Sequence, residues 1–109
     1  MAIHRVPEHY ATSVSAAGTT QGTATLVTTK HVMVETITAA TDRAIVMSEP
    51  LAADEGWGTI HNATSEILEV YPPSGYQFNG WTADAYMTIG SYSSVMWVRF
   101  DATKIGVIL

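Results

Sequence analysis

No cysteine occurs among the 109 residues, which excludes disulfide stapling and thiolate chemistry and removes any redox signature of a compartment. Charge is also scarce. Charged residues make up 14% of the chain, against roughly 25% in an average soluble domain, so part of so sparsely charged a surface is expected to lie under a partner. Basic residues are scarcest: five stand against ten acidic ones, for a net charge of −5. That balance leaves no electrostatic footprint for nucleic acid or for an anionic membrane. Long apolar runs are missing too, since none approaches the ~18 residues that read as a bilayer span. The opening Met-Ala-Ile-His-Arg-Val-Pro-Glu-His-Tyr carries a proline and mixed charges where a signal peptide needs an unbroken apolar stretch. The expected product is soluble and made in the cytoplasm.

What the chain does contain is β character. Apolar residues make up 47% of it, enough for one core, and a domain of this size buries roughly 65% of the surface its unfolded chain exposes. Its organising stretch is 66–80, Glu-Ile-Leu-Glu-Val-Tyr-Pro-Pro-Ser-Gly-Tyr-Gln-Phe-Asn-Gly. Each proline lacks an amide donor and fixes φ near −65°, while Gly75 and Gly80 accept φ > 0, so pairing should stop at Tyr71 and the chain should turn. Upstream, residues 23–29 and 31–38 are rich in β-branched residues and 43–48 is a short continuous apolar run. In the second of these, Val32 and Val34 share one face, while Met33 and Ile37 share the other with Glu35. Apolar residues on both faces suggest a strand covered by the core on one side and by a neighbouring subunit on the other. Residues 51–55 could make one helical turn, 56–61 resume strand character, and Asn62-Ala63 is the expected hairpin turn into 66–71. Downstream, 93–100 is the longest strand, with Met96, Val98 and Phe100 on one face and Val95, Trp97 and Arg99 on the other, and 104–109 should pair back with it. No repeat of fixed period is visible. Seven to nine short strands separated by turn signals predict an all-β fold, a single antiparallel β-sandwich or barrel of jelly-roll type over 22–109. Residues 1–21 have too little apolar bulk to fold alone and read either as an extended N-terminal arm on another surface or as a loose terminus.

No constellation for chemistry emerges. The only near pair among the four histidines is His4 and His9, and zinc sites usually place two ligands close together with more to follow, so no metal ligand is assigned. The strained Gly-x-Ser-x-Gly elbow is absent. Glu66 and Glu69 fall on opposite faces of a strand, and Asp54-Glu55 reads as a solvated loop. No catalytic or cofactor-binding residue is assigned, and the chain is not expected to be an enzyme. Aromatic side chains could stack on a sugar ring, and Trp57, Tyr76 and Trp81 form a candidate contact patch, although aromatics in small β domains more often serve core and interfaces. Asn62-Ala63-Thr64 matches the N-glycosylation pattern and, without a secretion signal, is read as chance.

Several segments together resemble small β-rich structural proteins of tailed bacteriophage virions, notably those of cyanophages. They are the Ser/Thr/Ala-rich lead ending in Ala17-Gly-Thr-Thr-Gln21, the Thr23-Ala-Thr25 strand and the Thr29-Lys30 step. The most specific is Val70-Tyr-Pro-Pro-Ser-Gly75 followed by Asn79-Gly80, and a long apolar strand and a closing Val107-Ile-Leu109 complete the set. The likeness covers 13–109 and departs from the family pattern at 102–105, where a glycine turn and a tryptophan are usual, and at 47–58, which is more acidic and richer in tryptophan. It implies a non-enzymatic capsid decoration, or cement, protein on the outer surface of the head, with the major capsid protein as partner and a homotrimer as the assembly. It further implies a capsid-binding arm, for which Ile3, Val6, Tyr10 and Val14 are the candidate contacts. The alternative is a receptor- or glycan-binding module of a head fibre or tail using the aromatic patch.

Overall fold

A computed structural model describes residues 10–49 and 56–108. Among them, ten strands run in order: β1 (Tyr10–Ser15), β2 (Thr25–Val27), β3 (His31–Thr36), β4 (Ala44–Met47), β5 (Trp57–Asn62), β6 (Leu68–Tyr71), β7 (Gln77–Phe78), β8 (Met87–Ile89), β9 (Ser94–Arg99) and β10 (Lys104–Ile108). They form a six-stranded sheet, β1-β3-β5-β9-β10-β7, and a four-stranded sheet, β2-β4-β6-β8. The all-β expectation holds.

The connectivity corrects the antiparallel sandwich or barrel. The chain alternates between the sheets, so β1 and β2, β3 and β4, and β5 and β6 make successive coils of a β-solenoid, and the stacked strands are parallel. An excursion to the other sheet returns the chain in its original direction, which supplies the crossover a parallel pair needs without a helix. Asn62-Ala63 is accordingly a corner between sheets and not a hairpin turn: the Ala63 amide donates to Val34 O of the preceding coil at 2.8 Å.

The double proline ends the parallel part. β6 stops at Tyr71, and Pro72 and Pro73 are buried at a corner whose turns use Gly75 (φ 84°), Asn79 (φ 51°) and Gly80 (φ 77°). Beyond it the winding reverses: β8 lies antiparallel to β6, β9 antiparallel to β5, and β10 antiparallel to β9 as expected. Short β7 closes the edge parallel to β10. One carboxylate fastens this corner. Asp84 Oδ1 accepts the Gly75 amide at 2.7 Å and Gln21 Nε2 at 3.1 Å, while the same Gln21 nitrogen also donates to Pro72 O at 2.9 Å. The Gly75 amide first, and Gln21 second, hold the Asp84 carboxyl below its ordinary value.

The core lies between the sheets. Val32, Val34, Ile60, Val95, Trp97 and Ile105 enter it from the six-stranded sheet, and Val27, Ile45, Met47, Leu68, Val70 and Ile89 from the other. Gly58 pairs with Trp97, and a Cβ there would stand 2.1 Å from Lys30 O and 2.6 Å from the indole ring. Only a bare α-carbon lets the buried indole lie across β5. Asn62 is the polar member of the interior: its amide nitrogen donates to Glu66 O, Ile89 O and Gly90 O at 2.7, 3.1 and 3.0 Å, and its oxygen accepts the Thr64 amide and hydroxyl. So complete a set of partners joins the β5–β6 corner to β8, and it satisfies a side chain that would be costly to bury alone. It also encloses the amide of the Asn62-Ala63-Thr64 pattern.

The expected arm over 1–21 differs in its second half. Tyr10–Ser15 is the edge strand β1, bonded along β3, and Val14 packs on the core of its own chain. A bulge interrupts this pairing, with Ser13 at φ 57° and its amide donating to Glu35 Oε2 at 2.8 Å. Ile3 and Val6, like the His4 and His9 pair and the helical turn expected over 51–55, lie outside the described residues.

Candidate functional site

Strand pleating gives each sheet an outer face, and the two differ. On the four-stranded sheet, the β4–β6 pairing sets Ala44 beside Glu69, and both are buried. Arg43 Nε donates to Glu69 Oε2 at 2.9 Å, and its Nη1 donates to Ala39 O at 3.0 Å. The hydrogen bond to Glu69, the largest cause, holds the Arg43 guanidinium above its ordinary value. Glu69 Oε1 is buried without a hydrogen-bond partner among the described residues. Tyr71 donates from its hydroxyl to Thr19 O at 3.1 Å and meets Tyr86 edge to face with ring centroids 5.3 Å apart. Burial first, and the Glu69 charge next, raise the Tyr71 phenol. The chain thus covers much of this face with its own loop and ion pair, leaving Leu26 exposed near the edge and Tyr86 partly exposed over Tyr71.

Among the described residues, the six-stranded sheet has no such cover. The pairing registers set three outward rows across it: Trp57, Val98 and Gly106; His31, Thr59, Met96 and Ile108; and Met33, His61 and Ser94. Trp57 is 44% exposed, Ile108 52% and Met96 36%, and Met33 is exposed beside them. Phe100, 72% exposed, lies over Gly106, where a Cβ would stand 2.3 Å from its ring. These three rows carry no Asp, Glu, Lys or Arg. Charges sit at the rim: Lys30 Nζ lies 4.9 Å from the Trp57 ring centroid, and Lys104 stands 3.9 Å from Asp101. Polar side chains within the rows bond to one another, His31 Nδ1 sharing a hydrogen bond with Thr59 Oγ1 at 2.8 Å and His61 Nδ1 one with Ser94 Oγ. His31 also meets Trp57 edge to face at 5.3 Å. Between β1 and β5 the face holds a shallow depression of about 180 Å³ lined by Tyr10, Thr12, His31, Met33, Thr59 and His61.

The residues singled out from sequence fall apart on the fold. Trp57 stands on this face, and Trp81 is exposed at the turn after β7, where its amide donates to Phe78 O. Tyr76 is 5% exposed and belongs to the core, so the three do not make one contact patch. Its burial follows from the Pro corner, where its amide donates to Pro73 O and its carbonyl accepts the Asp84 amide. Tyr10, at the edge of the uncovered face, is exposed, whereas Val14 points inward. Sequence reasoning missed Ile108 as a surface residue and Met96 as its neighbour. Both stand on one row only because β9 and β10 pair in one particular register, although the outward parity of Met96, Val98 and Phe100 was a usable signal.

Among the described residues, no group of three or more His, Cys, Asp or Glu is arranged to hold a metal, and no helix is long and apolar enough to cross a membrane. Comparisons with family models, with curated proteins and with solved structures find no match.

Proposed function

We propose that the chain is a non-enzymatic structural protein of a phage head, a decoration protein that binds the assembled shell from outside as a homo-oligomer. The observation that carries this reading is the set of three uncharged outward rows on the six-stranded sheet, with Trp57, Met96 and Ile108 and the neighbouring Phe100 turned to solvent. An exposed apolar patch of several hundred Å² marks a docking surface more readily than a reaction centre. The low charge of the chain and the resemblance of residues 13–109 to virion proteins point the same way. A ligand of the assembled shell that does not bind its dissociated parts stabilises it by RT ln(1 + [L]/Kd), about 2.7 kcal/mol per site at a hundredfold excess over Kd. The major capsid protein is the partner this reading requires. A trimer suits the threefold positions of an icosahedral shell.

The test is occupancy on heads. Purified protein added to expanded heads lacking it should restore density on the outer surface and delay thermal rupture of the shell. Absence of binding, or density confined to the tail, would contradict the reading.

A further inference from the structure

We infer that the outer face of the six-stranded sheet is where copies of this chain meet one another. The inference rests on the homo-oligomeric part of the reading above and gives that face to the contact between copies, so that the shell is met by another surface. It needs no capsid to be tested.

Charge argues for a second copy. At a net charge of −5, two copies repel, and the described acids Asp42, Glu49, Glu66, Glu69, Asp84 and Asp101 all lie off the three outward rows, with Glu35 at their margin holding the Ser13 amide. A contact through these rows sets neutral surface against neutral surface and keeps most carboxylates at the periphery, where water and salt screen them. A contact through any of the acidic corners would bring like charges together.

Composition argues for it as well. Contacts between identical chains require a surface that complements itself, and a face whose protruding groups are Trp57, Met33, Met96, Phe100 and Ile108 does so without matched charges. Methionine side chains adapt their shape to a neighbour, and a partly exposed indole supplies a large apolar anchor. The polar groups between them are already bonded in pairs, His31 with Thr59 and His61 with Ser94, so covering them leaves fewer orphaned donors.

Area sets the strength. The four strands that carry these rows, about 4.8 Å apart and about 20 Å long, span roughly 400 Å², so two such faces bury on the order of 800 Å², the size of a weak, transient contact. Association that depends on protein concentration follows.

The experiment is sedimentation of the full chain over a range of concentrations, comparing the unaltered protein with Trp57→Ser, with Met96→Lys and with a control, Leu26→Ser, on the outer face of the other sheet. Far-ultraviolet dichroism and a melting curve check folding of each. The unaltered protein and Leu26→Ser should rise in mass with concentration together. Met96→Lys, which places a charge in a neutral row, should remain monomeric at concentrations at least tenfold beyond the wild-type midpoint, and Trp57→Ser should shift the midpoint in the same direction. A wild-type chain that stays monomeric throughout, or folded Trp57→Ser and Met96→Lys variants that associate like wild type, would overturn the inference. Head binding by a folded, monomeric Met96→Lys variant would leave the capsid reading standing on another surface.

Discussion

The outer faces of the two sheets are built from the same kind of strand and end in opposite states. On the four-stranded sheet a loop, an ion pair and two tyrosines close over the strands: Arg43 with Glu69, Tyr71 with Thr19 and Tyr86. On the six-stranded sheet Trp57, Met96 and Ile108 stand in solvent on strands joined through β9. Contacts within the chain cover most of the first face. The second gains more from contact with another surface, because each large side chain there, already about half-buried, contributes roughly 1 kcal/mol of further transfer free energy as it leaves water. The difference separates residues that hold the fold together from residues that act outward.

Substitutions in the frame beneath the faces should cost most. Gly58→Ala puts a methyl against a backbone carbonyl and the Trp97 ring, and about 3 kcal/mol of lost stability in urea unfolding is expected. Asn62→Ala removes the donors that reach Glu66, Ile89 and Gly90 and leaves a polar hollow, for a loss of about 2–3 kcal/mol in the same assay. On the covered face, Arg43→Met strands the buried Glu69 carboxylate, and a melting temperature lowered by less than that of Asn62→Ala is expected, partly restored by adding Glu69→Leu. On the uncovered face, Met96→Thr should change stability by no more than about 0.5 kcal/mol while weakening self-association measured by sedimentation. A destabilising Met96→Thr as large as Asn62→Ala would erase the contrast between the faces.

Acid should act through the corner. The folded-state pKa of Asp84 lies below its unfolded value, so its contribution is present above about pH 4 and is lost as pH falls through the folded value. Asp84→Asn should therefore flatten the acid limb of a stability-against-pH curve and leave self-association at neutral pH unchanged. A variant with the same acid limb as wild type would remove Asp84 from the account of the corner.

Much of the frame was legible in the sequence for physical reasons. Val32 and Val34 lie in the core and Met33 outside, as strand parity requires, and β6 ends where two prolines withdraw their donors. The direction of pairing was not legible, because a strand with one buried face shows the same alternation in a parallel coil as in a hairpin. The solenoid repeat was hidden by a change of step: Tyr10 stacks on His31, but His31 stacks on Thr59, with the extra chain between β4 and β5 taking up the difference. β1 escaped because Tyr-Ala-Thr-Ser-Val-Ser has little apolar bulk and draws its strand geometry from β3. Tyr76 was misread as a surface aromatic because burial at a proline corner depends on which way the corner folds. The row of Thr59, Met96 and Ile108 joins residues far apart in the chain, so only the pairing register brings it into being.

Hydroxyl-radical footprinting of the associated protein against the dilute monomer tests the contrast between the faces most directly. Oxidation of Met33, Trp57, Met96 and Phe100 should fall on association, while Leu26 and Trp81 stay as reactive as in the monomer. Protection of Leu26 or Trp81 with undiminished oxidation of Trp57 and Met96 would contradict the account, placing the working surface elsewhere.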